Sequence, residues 1–322
     1  MTTAPRPRRS HRRLLAVLAL GLVIALVGVG AIATNTLGAA NLFDRAIAKV
    51  DRFLAGPVPD RAAPDTVLVT EPPEDIGERD PDESPIATPV VGAVGPGITP
   101  IPVPTAIPTP TPNVPRVPVT FDIVADHKAV FAHELKVTWC ASAGVQMVLS
   151  ILKHGNTSNA FQREIQGRVR EWESAKDSHN GDWGPSAMAL ALADYGVKGY
   201  EVHAYQTRQG ALRGASKAIM RTNSPAILLA WRGAHTWVMT GFKSDADPTI
   251  FSNAKIGGTY ILDPWYPDIS SIWGPSDPPG TFQDNGEMIR NFLPWKRPEG
   301  RYPDRDGLYI TVVPTIPVSP PG

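Results

Sequence analysis

The segment KVTWCASAGVQMVLSILKHG (Lys136–Gly155) holds Cys140, the single cysteine of a 322-residue chain, at the head of an apolar stretch. Ala141, Val145, Val148 and Leu152 recur at helical spacing and mark one face, and Gly144, Met147 and Ile151 carry the apolar surface further round. A helix apolar over most of its circumference belongs inside a domain. Thr138 is placed to cap it, and Gly155 to end it after Lys153 and His154. Cys140 then sits in the first turn. There the positive end of the helix dipole and the backbone N–H groups favour a thiolate and can hold an oxyanion. The plain reading of a lone cysteine is a small buried hydrophobe. The sharper reading is a nucleophile.

The rest of the chain sets the compartment. Residues 1–13 hold Arg6, Arg8, Arg9, Arg12 and Arg13 and no acid, and no charged residue follows from Leu14 to Phe43. An apolar run of about 20 residues spans a bilayer core of roughly 30 Å. A transmembrane signal anchor is therefore expected over 14–36, with the basic tail 1–13 cytoplasmic and the remainder exported. A cleaved signal peptide is the rival, since "ATNTLGAA" offers small residues for processing. In an oxidising compartment structural cysteines come in pairs, and Cys140 has no second cysteine in the chain.

Four further segments follow. An amphipathic juxtamembrane helix is expected over 41–56, with Phe43, Ile47, Val50 and Leu54 on one face. Residues 57–118 contain 17 of the 34 prolines and nine acids against three bases, and read as an extended acidic stalk. Residues 119–314 contain every tryptophan and read as the one globular domain, followed by a Pro-rich tail, 315–322. Helices are expected at 140–153, 160–174, 185–195 and 209–222, and strands at 225–231, 235–242, 259–265 and 307–313. Helices before strands indicate an α+β fold with a segregated, mostly antiparallel sheet. The formal net charge of zero argues against a general nucleic-acid binder.

A nucleophile needs a base and a group to orient it. His235 opens the apolar strand "HTWVMTGF", where an imidazole can point into a cleft from a fixed backbone. The other histidines stand in polar or helix-end contexts. Asp263 closes the strand "YILDPW" just before a proline that ends the pairing, although Asp-Pro also simply makes turns. Cys140, His235 and Asp263 are 95 and then 28 residues apart. No cofactor and no metal are expected. There is no His-Glu-x-x-His, and His127 and His133 stand six apart without a clear third ligand.

The blocks "WCASAGVQMVL", "HTWVMTGF" and "YILDPW", with "GDWGPSAMALALADYGV" (Gly181–Val197) between the first two, resemble the bacteriocin-leader-peptidase-like (double-glycine-peptidase-like) family of the papain-like superfamily. The resemblance covers about 125–313. It implies a papain-like cysteine peptidase fold, with Cys140 as nucleophile, His235 as base, Asp263 as orienter, and a peptide or protein as substrate. The family has glutamine six residues before the cysteine, donating to the oxyanion beside the cysteine's own N–H. Glu134 stands there in this chain. An ionised Glu134 would repel an oxyanion, whereas a protonated one would serve. Otherwise His133 or Lys136 donates, or the domain binds without cleaving. That last alternative is a surface-displayed peptide- or glycan-binding module, with Trp139 and Trp183 as candidate cleft walls.

Overall fold

The computed structural model describes residues 27–30, 39–71, 114–178, 183–297 and 299–318. The basic tail, the expected membrane span apart from 27–30, and residues 72–113 of the expected stalk lie outside them. Among the described residues no helix is long and apolar enough to cross a membrane. Helix α1 runs Ala39–Ala55 and leaves Phe43, Val50 and Leu54 of its apolar face exposed.

The domain is α+β around one eight-stranded sheet. Its strands are β1 (Thr66–Leu68), β2 (Val119–Asp122), β3 (Tyr200–Tyr205), β4 (Ala226–Leu229), β5 (His235–Ser244), β6 (Ile256–Leu262), β9 (Thr281–Asp284) and β10 (Tyr309–Pro314). The order is β1-β3-β10-β4-β5-β6-β9, with β2 also pairing β5; a two-stranded ribbon, β7 (Ile269–Ser270) and β8 (Gly274–Pro275), lies apart. Every pairing is antiparallel except β1 with β3.

The helices are not confined to one face. Helices α3 (Cys140–Ile151), α4 (Asn159–Gly167), α5 (Val169–Trp172) and α6 (Pro185–Asp194) share a core with Ile227, Leu229, Val238 and Ile310. Helices α7 (Arg208–Thr222) and α8 (Asn285–Asn291) share a second core with Ala226, Leu228, Met239 and Tyr309 on the other face. Strand β4 is buried on both sides, which is why AILL shows no polar alternation. A short helix α2 (His127–Val130) follows β2, capped by Asp126.

Residues 59–69 of the stretch expected as a stalk are hydrogen-bonded to the domain. Ala175 N–H donates to Pro59 O (2.8 Å), Ser186 Oγ to Pro64 O (3.0 Å) and Val69 N–H to Ala204 O (2.9 Å). A proline-rich chain is already extended, so it reaches a sheet edge or a groove at little entropic cost. Here it supplies the edge strand β1. Beyond the stretch outside the described residues, Arg116 pairs with Asp245 at 2.7 Å.

Gly144, one turn after Cys140, lets α3 approach β5. A Cβ there would lie 2.5 Å from Thr236 Cγ2, the residue after His235. Gly144→Ala gains about 1 kcal/mol of helix propensity, yet Thr236 is buried and stiff at χ1. Overpacking there is expected to win. The variant should lose about 1–3 kcal/mol in chemical denaturation, and a stability at or above that of the parent would contradict it.

Candidate active site

Cys140 is the first residue of α3, with Trp139 at the N-cap position. Thr138 does not cap. Trp139 makes no side-chain capping bond either, and Ser142 Oγ donates to the Trp139 carbonyl at 2.9 Å. The helix ends in a left-handed turn at Lys153 (φ +63°), with His154 N–H donating to Leu149 O at 2.8 Å, so the stop comes two residues before Gly155.

His235 is the first residue of β5 and Asp263 follows the last residue of β6, an antiparallel neighbour. His235 Nε2 and Asp263 Oδ1 are 2.7 Å apart, and the two residues are 2% and 6% exposed. The same Oδ1 accepts from Trp265 N–H at 2.9 Å, which fixes the carboxylate. Trp231 stacks on the imidazole with ring centroids 3.9 Å apart, and Trp265 meets it edge-on.

The turn that delivers His235 is strained. Trp231 (φ +53°), Arg232 (φ +60°) and Gly233 (φ +83°) are all left-handed, at about 1–3 kcal/mol for each non-glycine. Trp231 Nε1 donates to Asn291 Oδ1 (3.2 Å), Lys296 N–H donates to Arg232 O (3.2 Å), and a Cβ on Gly233 would meet the Trp295 ring at 2.3 Å. These contacts hold the conformation. Trp231 reads in the sequence as core. Its stacking on the His235 ring is a tertiary contact without a local signal.

Glu134 completes the group. One donor atom from each of Glu134, Cys140 (Sγ) and His235 (a ring nitrogen) lies within 4.8 Å of the other two. Glu134 N–H donates to Pro264 O at 2.9 Å, next to Asp263. On either side, Gln162 Nε2 donates to His133 O (2.9 Å) and Gln162 Oε1 accepts from Leu135 N–H (2.8 Å), so one buried glutamine clamps the loop. Glu134 is 3% exposed, and neither carboxyl oxygen has a hydrogen-bond partner among the described residues. Burial first, then the Asp263 and Asp268 carboxylates, pushes its carboxyl well above the usual carboxylate range. A neutral acid, able to donate, is the form this pocket favours.

The remaining sequence candidates fall elsewhere. His133 Nδ1 turns to the carbonyls of Pro264 (3.1 Å) and Tyr266 (2.9 Å), and Lys136 Nζ lies 5.4 Å from the centre of the Trp139 ring. Trp139 is half-buried at the head of α3. Trp183 is packed in the helical core against Trp172 (5.3 Å), its indole N–H donating to Gln166 Oε1 at 2.9 Å. That leaves Trp183 little surface with which to wall a cleft.

No family model matches the chain, and no curated protein matches it. Among solved structures, the crystal structure of a double glycine motif protease from an AMS/PCAT transporter, in complex with the leader peptide, is similar to it. Identity is 18%, covering 57% of this chain and 91% of that one, with a TM-score of 0.28.

Proposed function

We propose that the domain over 119–314 is a papain-like cysteine peptidase or amidase. The observation that carries this reading is the convergence of Cys140, His235 and Glu134 within 4.8 Å, with His235 Nε2 held on Asp263 at 2.7 Å. With Nε2–H donated to Asp263, Nδ1 takes the Cys140 proton. The thiolate attacks the carbonyl carbon of a peptide or amide. The Glu134 O–H and the Cys140 N–H donate to the oxyanion, and His235 protonates the leaving amine. Water, activated by His235, then hydrolyses the acyl-enzyme; an amine in place of water would give transfer.

The substrate is a peptide or protein. The test is a peptide library incubated with the full chain in detergent and EDTA, with cleavage sites read by mass spectrometry and Cys140→Ala as control. Cleavage by the wild type alone supports the reading. Identical profiles from both proteins, cut or uncut, would end it and leave a binding module of the same fold.

Glu134 has its own signature. Glu134→Ala removes an oxyanion donor and is expected to lower kcat about a hundredfold. Glu134→Gln, whose amide also donates, should recover most of that loss. Equal loss in both variants would assign Glu134 no donor role.

We further place this domain outside the cytosol on a membrane anchor over 14–36. Supporting this are the uncharged run after five arginines and the exposed apolar face of α1. Alkaline extraction of membranes checks it, since an anchored chain stays in the pellet.

A further inference from the structure

We propose that Glu134, Cys140 and His235 also form a Zn2+ site, whose occupation holds the thiol out of reaction. The three residues supply carboxylate, thiolate and imidazole, the borderline-soft mixture that suits Zn2+ and not the oxygen-seeking Mg2+ or Ca2+. Their donor atoms lie within 4.8 Å of one another. A tetrahedral zinc with ligands at about 2.0–2.3 Å sets those atoms roughly 3.3–3.7 Å apart. Occupation would draw the three atoms together by about 1 Å and leave a fourth position for water.

One observation points to a cation, and a second is compatible with one. First, the buried carboxyl of Glu134 faces the thiol and imidazole, with no hydrogen-bond partner on either oxygen among the described residues. A glutamine there would serve the oxyanion without adding an anionic ligand. Glutamate adds one. Second, His235 already carries the outer partner of a metal-bound histidine, since Asp263 Oδ1 holds Nε2 at 2.7 Å and orients the ring.

Charge agrees. Thiolate, carboxylate and Zn2+ sum to zero, and Asp263 and Asp268 lie near enough to Glu134 to act on it electrostatically. Binding displaces the protons of the Cys140 thiol and the Glu134 carboxyl to solvent. The zinc-bound sulfur is then a weaker nucleophile than the free thiolate.

The proposal uses the same residues as the peptidase reading but does not need turnover. The experiment is titration of the chelator-stripped full chain with ZnCl2 against a chromogenic chelator, without substrate. One ion per chain is expected, bound at least about tenfold more weakly by Glu134→Gln and by Asp263→Asn, and indifferent to excess Mg2+. One equivalent should block alkylation of Cys140 by iodoacetamide, and EDTA should restore it. No stoichiometric binding would overturn the site. So would binding that Glu134→Gln leaves unchanged while its thermal midpoint matches the wild type. Zinc binding without peptide cleavage in EDTA would sink the peptidase reading alone; cleavage without zinc binding would sink only this proposal.

Discussion

His235→Ala is expected to lower kcat/KM for any peptide that the chain cleaves by about four orders of magnitude. The imidazole is base to the thiol and then acid to the leaving amine, so both halves of the cycle fail together. Its removal also opens a space beside Trp231 and leaves the buried Asp263 without its 2.7 Å partner. Some stability is therefore lost with the rate. His235→Asn separates the effects, because its amide can still donate toward Asp263 but cannot act as a base. It should melt nearer the wild type than His235→Ala does and be as inactive. A His235→Asn enzyme within tenfold of wild type would remove His235 from the chemistry.

The second large effect lies far from the thiol. Arg305 and Asp177, 2% and 1% exposed as side chains, pair at 2.9 Å. Arg305 Nε also donates to Thr66 Oγ1 (2.9 Å) in β1, and Arg305 NH1 to the Asp177 carbonyl (3.1 Å). Asp177 in turn accepts from the Ser186 and Ala187 N–H groups at the start of α6 (3.1 and 2.8 Å). This one cluster joins the edge strand, the loop after α5 and the head of α6. Arg305→Ala leaves the Asp177 charge buried and unpaired, at about 3–5 kcal/mol. Arg305→Met with Asp177→Asn keeps the volume and one of the two capping bonds while removing both charges, so it should cost less. Chemical denaturation reads both. A loss below about 1 kcal/mol for Arg305→Ala would show that water relieves the charge.

Much of the site was legible because its residues stand where local patterns end. Cys140 begins an apolar 3.6-residue repeat, His235 begins an apolar strand, and Asp263 follows one just before Pro264. Glu134 was visible only as a departure from a family motif. Its burial, its unpaired oxygens and the clamp by Gln162 are tertiary facts. Strand β3, Tyr200–Tyr205, alternates visibly but is only six residues long. Strands β2 and β9 are four residues each and owe their form to the neighbours they pair with. The docking of 57–71 was hidden by composition, because a proline-rich run reads alike as stalk or as edge strand until its partner is known. Arg305 and Thr66 are 239 residues apart, and nothing local links them. Trp183 was misplaced for a related reason. Its position before Gly184-Pro185 suggested a rim, whereas Trp172 and Gln166 draw it inward.

The most direct test of the Cys140–His235 pair is the alkylation rate of Cys140 against pH, on the full chain in EDTA, beside His235→Ala. The expected result is a thiol that titrates well below the ordinary value of about 8.5 and returns toward it in the variant. A slow thiol with an ordinary or raised pKa, unchanged by His235→Ala, would contradict the pair and with it the peptidase.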